Sequence, residues 1–539
     1  MVILLQTNFP MPTDCISYQN SGYFTPLMND YLNQKSSLQP FYNRFPTLEN
    51  FEKQLIEKQQ NYNSNSREIL VSVLKKQYEE LSISELTKKN IALLSEQNTF
   101  TITTGHQLNL FTGPLYFLYK IISTINLTTE LKSKYPSYNF VPIYWMATED
   151  HDFEEINYFN FKGKKFQWNR ESSGPVGRLS TEGLDEFLTV FEKELGSGTN
   201  ADAIKSLFKD AYANNNSLAN ATRHLANELF GAHGLVILDA DNSELKTSFI
   251  PYIKEELLLQ TANKKVSETI EKLKKYPVQV NPREINLFYI EDNLRERILF
   301  QDGKYKINNT KIEFSENGIL ELITKNPERF SPNVILRPLY QEVILPNLCY
   351  IGGGGEIAYW LELKATFEAF NCTFPILLLR NSALLATQKQ TEKATKLGLT
   401  WMDLFTKQED LINRKVLEIS EMPIDFSSQK DFLKQQFSDL YTIANQTDKS
   451  FLGAVKAQEV KQIKGLENLE KRLLKAQKKK YVAELERIVD LQNELFPNQS
   501  LQERKANFSE FYLENGKGLI EKLFVELKPL EFNFTILTL

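Results

Sequence analysis

Short apolar runs, each ending in a polar turn, recur through the first 380 residues. Thr99–Thr103 is rich in β-formers and leads into the turn TGHQLNLFTG, after which a helix is expected from Pro114 through Leu131. Proline in a first helical turn loses no hydrogen bond, and Thr112 is placed to cap. Val141–Met146 is a second apolar run and leads into Thr148–Asp152. Gly234–Leu238 leads into Asp239–Asn242, and Phe374–Leu379 into Arg380–Ser382. Runs this short, lacking alternation and mostly followed by helical pattern, predict an α/β fold on a parallel sheet of the doubly wound type. Residues 1–98 read mainly as helix: from Leu48 to Ser95 apolar positions recur at three and four, with Thr47 as one expected cap and Ser82 or Ser84 as another.

Two stretches break this rhythm. Residues 153–220 and about 276–330 carry aromatic and β-branched residues with turn signals. The second reads as a small antiparallel insertion with Asp302-Gly303 as its hairpin turn. The predicted division is a core over 1–380 with these two insertions, a helical domain over 381–499, and a segment 500–539 that returns to the core.

The helical domain is dominated by one pattern, from about Phe451 to Phe496 and stopped by Pro497. Leu466, Leu469, Leu473 and Ala476 keep alternating 3–4 spacing. Tyr481, Leu485, Ile488 and Leu495 continue it after a phase slip. An unbroken helix of this length would span on the order of 65–70 Å at 1.5 Å per residue. It either projects and needs a partner helix or lies along the core. Candidate partners are Lys430–Asn445 and Leu384–Leu397, the latter ended by Gly398. Such an arm suits a homodimer.

Composition narrows the function. A net charge of −5 offers no basic surplus for a phosphate backbone, so no nucleic-acid partner is expected. No run approaches the ~20 apolar residues of a membrane span. The opening MVILLQTNFPMP is too short for a signal segment and has no basic leader. Cys15, Cys349 and Cys372 form neither a C-x-x-C pair nor a zinc spacing, as in a reducing compartment. A cytoplasmic protein is expected.

Two of the four histidines, His106 and His151, fall in loops after predicted strands, where open α/β sheets bind ligands; His224 and His233 do not. Glu149-Asp150-His151-Asp152 reads as a Mg²⁺ carboxylate site, an acid–base pair, or a helix cap with acidic first-turn residues. Thr104–Gly113 reads as a phosphate cradle or a plain capped turn. Gly352-Gly-Gly-Gly-Glu356, ahead of a helix expected over Ile357–Phe370, reads as a close backbone contact to substrate or nucleotide, or as a tight turn. Arg337 and Arg380 lie near strand ends, where each can hold a carboxylate bidentately. On residues alone, a metal-dependent hydrolase or phosphotransferase built on Glu149–Asp152 and a non-enzymatic coiled-coil scaffold both stay open.

Five segments in order resemble one family: TGHQLNLFTGPLYFLYK (104–120), VPIYWMATEDHDFEEI (141–156), GLVILDADNSELK (234–246), SPNVILRPLYQEVILPNLCYIGGGGEIAYW (331–360) and LQERKANFSEFY (501–512). The chain resembles BshC, the cysteine ligase family of bacillithiol biosynthesis. The resemblance implies a Rossmann-like core with connective-peptide insertions and a dimerising coiled coil. It implies a ligase that joins L-cysteine to glucosaminyl-malate. Carried over by motif are Thr104, Gly105, Thr112 and Gly113 in the first block, Glu149, Asp150, His151 and Asp152 in the second, and Gly352, Gly353, Gly355 and Glu356 in the fourth. His106 stands where glutamine is common and Gly354 where proline is common. Making an amide from a carboxylate is uphill in water, so ATP is expected as the activating cosubstrate, with Mg²⁺ alongside it. The H-I-G-H and K-M-S-K-S signatures of class I aminoacyl-tRNA synthetases are absent from the sequence.

Overall fold

The computed structural model describes residues 13–539 and divides into two units. One contains the chain up to Leu385 together with Leu501–Leu539; the other is Ala386–Ser500. The N-terminal apolar run lies outside the described residues.

The first unit is organised by five parallel strands: β1 (Thr99–His106), β2 (Asn139–Met146), β3 (Val236–Asp239), β4 (Asn347–Gly352) and β5 (Ile376–Leu379). Their order is β5-β4-β1-β2-β3. β4 is the strand the sequence pattern missed. It holds Asn347, follows Pro346 and runs directly into the glycines, so it lacks the look of an apolar run. Asn347 is tolerated there because Thr101 and Thr103 on β1 donate to its side-chain oxygen at 3.2 and 2.8 Å. Helix Leu48–Asn61 covers one face, packing Phe51 and Leu55 against Phe100, Ile102, Ile351 and Leu378.

Several local expectations are corrected. The helix after β1 is Tyr116–Lys134, and Thr112 does not cap it. Leu110–Thr112 forms a tight 3-10 turn in which Phe111 and Thr112 take positive φ, 47° and 67°. The turn is clamped from far along the chain: Asn507 donates to the carbonyls of Phe111 and Gly113 at 2.8 and 2.6 Å. Thr47 and Ser84 do cap their helices, whereas Ser82 does not. Thr13–Ser17 is a strand rather than helix, and Leu384 lies in the strand Ser382–Ala386. Both flank the C-terminal strand Asn533–Thr538 in a three-stranded sheet. That partner is at least 147 residues away from either, and local patterning carries no trace of it.

The stretch 153–220 forms one hairpin, Tyr158–Phe161 with Lys164–Gln167, and then turns helical from Leu184. Phe111, Phe159, Phe191 and Phe208 pack as its aromatic core. The stretch 276–330 is antiparallel, as the sequence indicated. Asp302 and Gly303 both adopt positive φ, 55° and 74°, the geometry a two-residue hairpin demands.

In the second unit the long helical pattern is two helices, Lys449–Lys480 and Val482–Leu495. The break at Tyr481 falls at the phase slip. The longer helix spans about 48 Å. Helix Ser427–Ala444 packs along it through Phe437, Ala444 and Val455, and Lys430 pairs with Glu470 at 2.7 Å. Of the expected partners, Lys430–Asn445 therefore fills the role against the longer helix. Leu469 stays 52% exposed and Phe432 73%, so much of the apolar surface of this hairpin is not covered by the unit itself.

Buried ion pairs fasten the first unit, and one of them ties a covering helix to the segment before β4. Lys58 on helix Leu48–Asn61 donates to Glu342 at 3.0 Å, with both side chains at or below 2% exposure. Glu342 also accepts from Asn347 of β4 at 2.6 Å. Removing one partner leaves a buried charge unpaired. Lys58→Met is therefore expected to destabilise the first unit by about 3–5 kcal/mol. Urea unfolding followed by tryptophan fluorescence measures this, and an unmoved midpoint would refute it.

Candidate active site

Strand order reverses between β1 and β4, and in such sheets ligands bind beyond the strand carboxyl ends at that point. A cavity of about 670 Å³ opens there. β1 contributes Gly105 and His106, the loop after β2 Glu149 and Asp150, and the segment after β4 Gly353, Gly355 and Glu356. The residue following β5 is Arg380. The antiparallel insertion closes one side with Arg283, Phe288, Arg295 and Arg297.

The floor is held by Lys120, on the helix after β1. It is 4% exposed, donates to the Gly105 carbonyl at 2.7 Å and pairs with Glu356 at 2.6 Å. Glu356 also accepts from the Tyr350 hydroxyl and the Gly353 N–H, both at 2.8 Å. Burial pushes the Glu356 carboxyl up, but Lys120 and these donors outweigh it and hold it below the usual range, so it is a fixed anion. The glycine run owes little to positive φ, which none of its four residues adopts. A Cβ on Gly354 would lie 3.3 Å from Met28, while one on Gly355 would meet open space. The following helix is Gly354–Trp360, so the glycines form its first turn, and it stops ten residues short of Phe370.

The acidic loop is divided. Glu149 enters the cleft and pairs with Lys246, which is 1% exposed and also reaches Asp241 at 3.4 Å. Burial raises the Glu149 carboxyl above its ordinary value, with Lys246 opposing and Asp241 reinforcing. Asp150 accepts from Gln107 at 3.0 Å and lies 3.9 Å from Arg295. Although burial opposes it, these partners and His151 hold Asp150 far below the carboxylate range. His151 turns away from the cavity, its Nδ1 2.7 Å from Arg295, and Asp152 also lies outside the lining. Neighbouring side chains on an extended loop diverge, so the four could not share one ligand. Glu149 and Asp150 are both engaged by cations of the chain itself, and among the described residues no group of three or more His, Cys, Asp or Glu side chains is arranged to hold a metal.

Thr104 is buried in β1 with its hydroxyl on the Ile351 carbonyl at 2.7 Å. Thr112 and Gly113 belong to the clamped turn, and Gly352 ends β4; none of these four lines the cavity. The loop Thr104–Gly113 is therefore not a phosphate cradle along its length: its first residues Gly105, His106 and Gln107 face the site, and the rest packs inward. His106 is buried against Tyr116 and Phe117, and burial with Lys120 nearby pushes its pKa well below the ordinary value, so its ring is neutral.

Arg380 forms a two-point pair with Glu503, at 2.7 and 3.2 Å. Its carboxylate comes from the chain itself. Arg337 is different. It lies over the rings of Trp145 and Tyr350 and donates to Gln341 at 3.1 Å and Tyr359 at 3.2 Å. Sequence reasoning missed Lys120, Gln107, Arg283, Arg295, Arg297 and Arg504. Lys120 and Arg504 stand inside the recognised segments, whereas the insertion arginines carried no signal of their own.

A Rossmann-like parallel sheet with a charged cleft at its switch point defines a ligand-binding α/β protein of the enzyme type. Residues 11–381 match the family model "Bacillithiol biosynthesis BshC, N-terminal Rossmann-like domain", and residues 383–539 match its C-terminal coiled-coil domain. The chain belongs to the BshC family. It is 69% identical to a Flavobacterium johnsoniae protein over 98% of this chain and 100% of that one. A Flavobacterium psychrophilum protein is 65% identical, over 98% and 99%. A Bacillus cereus protein is 29% identical, over 92% and 94%. All three bear the name "Putative cysteine ligase BshC".

Proposed function

We propose that this chain joins L-cysteine to glucosaminyl-malate, the amide-forming step of bacillithiol biosynthesis. Besides family membership, the charge of the cleft carries the reading. Lys120, Arg283, Arg295, Arg297, Arg337, Arg380 and Arg504 line it against only Glu149, Asp150 and Glu356. A chain of net charge −5 that gathers seven cations against three acids in one cavity is built for polyanionic ligands. Glucosaminyl-malate brings two carboxylates, and ATP as cosubstrate would bring phosphates and the activation that amide formation needs.

The chain's own residues would then hold and orient the partners and exclude water, which strengthens each charge interaction in the cleft. Glu149 is the cleft carboxyl raised above its ordinary value, while Asp150 and Glu356 are held below theirs. A base poised nearer neutrality is the better acceptor of the amine proton as the amide bond forms. Glu149, rather than His151, takes that role in this reading. Among the described residues no helix is long and apolar enough to cross a membrane. The three cysteines are free, which agrees with a cytoplasmic site of action.

Three outcomes test these assignments. Deleting the gene is expected to abolish bacillithiol and accumulate glucosaminyl-malate in thiol profiles of the cells; normal bacillithiol, with no second ligase present, would sink the function. Glu149→Gln is expected to lower kcat by roughly 10²–10⁴. In the wild type the acid limb of activity should lie above the ordinary carboxylate pKa, because the protonated form is the inactive one. Full turnover by the variant would refute the role. Dimerisation through the helical arm rests on the exposed Leu469 and Phe432. Asp placed at both Leu469 and Leu473 is expected to yield monomers in sedimentation, and an unchanged species would move the interface elsewhere.

A further inference from the structure

Arg337 stands out among the cleft cations. Lys120 is neutralised by Glu356, Arg380 by Glu503, and Arg295 lies near Asp150. Among the described residues no carboxylate lies within ion-pair distance of Arg337, and its two hydrogen-bond partners, Gln341 and Tyr359, are neutral. Arg283, Arg297 and Arg504 also lack such a partner, but they are exposed and water can solvate them. Arg337 is only partly exposed and sits over two aromatic rings, so it has lost much of that solvent. A guanidinium offers five N–H donors in a flat fork, and only two hydrogen bonds are made by the chain. The fork lies at the switch point itself: a Cβ on Gly105 would be 3.9 Å from its NH1.

A partly desolvated cation with free planar donors and no carboxylate in direct contact is matched by a planar anion. Its single uncompensated charge suits one carboxylate better than a triphosphate, which needs several cations. Resting on the ligase reading, we infer that Arg337 is the specificity residue that seats one carboxylate of the malate half of the sugar substrate. That half keeps both carboxylates free throughout the reaction, whereas the carboxylate of cysteine is consumed in forming the amide. Tyr359 and Gln341 act as positioning residues, fixing the orientation of the fork by the bonds already described.

The test uses full-length Arg337→Gln and Arg337→Lys proteins, checked for native folding by circular dichroism. Losing a charge-assisted pair should raise KM for glucosaminyl-malate by roughly 10–150-fold, with KM for cysteine and ATP within about twofold of wild type. Arg337→Lys keeps the charge and loses the fork, so it should recover only part of the loss. A substrate analogue with one malate carboxylate amidated should be discriminated by the wild type and not by Arg337→Gln. An unchanged KM for glucosaminyl-malate, or a raised KM for cysteine instead, overturns the assignment. Calorimetry with malate alone separates this from failure of the ligase reading. Malate binding that is present in the wild type and lost in Arg337→Gln supports the seat even if no amide is formed. Equal malate binding by both proteins overturns it.

Discussion

The pair between Lys120 and Glu356 is the constraint on which the site depends. Lys120 belongs to the helix that follows β1, and Glu356 to the first turn of the helix that follows β4. At the switch point these two crossovers leave in opposite directions, and a sheet alone would leave a gap between them. A buried ammonium that also carries the Gly105 carbonyl closes the floor of that gap. Burying the ammonium beside a partly buried carboxylate is costly unless geometry and further donors are good. Here Tyr350 and Gly353 complete the carboxylate. The result is a neutral, rigid base beneath an otherwise cationic cavity.

The walls follow the same economy of pairing. Arg380 is committed to Glu503, which also accepts from Ser382 and the Ala383 N–H. This brings the C-terminal segment, 120 residues distant in sequence, against the end of β5. Arg178 pairs with Asp241 at 2.8 Å and Asp292 at 2.9 Å, so the acidic end of β3 and the antiparallel insertion are fastened together. Lys246 connects that cluster to Glu149. Because the pairs are made within the protein, the cations left without a carboxylate are the ones available to ligands. The distinction between structural and ligand-facing arginines is thus one of partner, not of position along the chain.

The Glu149–Asp152 loop shows how one short segment serves two ends. Glu149 points to the cavity and is raised by burial; Asp150 is pinned low by Gln107, Arg295 and His151. His151 contacts Arg295 of the insertion, with Phe288 beneath the guanidinium at 3.9 Å. A cluster that looks like one reactive centre is a cleft-lining carboxylate beside a structural brace.

Much of this protein was legible in its sequence. Apolar runs such as Val141–Met146 report burial on both faces of a strand, which only a parallel sheet covered by helices provides. Asp302-Gly303 reported a hairpin because few other residues adopt positive φ at both positions. Thr47 and Ser84 reported helix starts because capping is decided within four residues. The pattern from Phe451 to Phe496 read as one unbroken helix, and only the structure shows that it ends at Lys480 and restarts at Val482. What the sequence could not report depends on partners far along the chain. The strands Thr13–Ser17 and Ser382–Ala386 exist because Asn533–Thr538 lies between them. Thr112 fails as a cap because Asn507 clamps its turn. Whether Arg337 or Arg380 is free to meet a ligand was decided by where Glu503 arrived, and a residue's charge is written in the sequence while its counter-charge is written only in the fold.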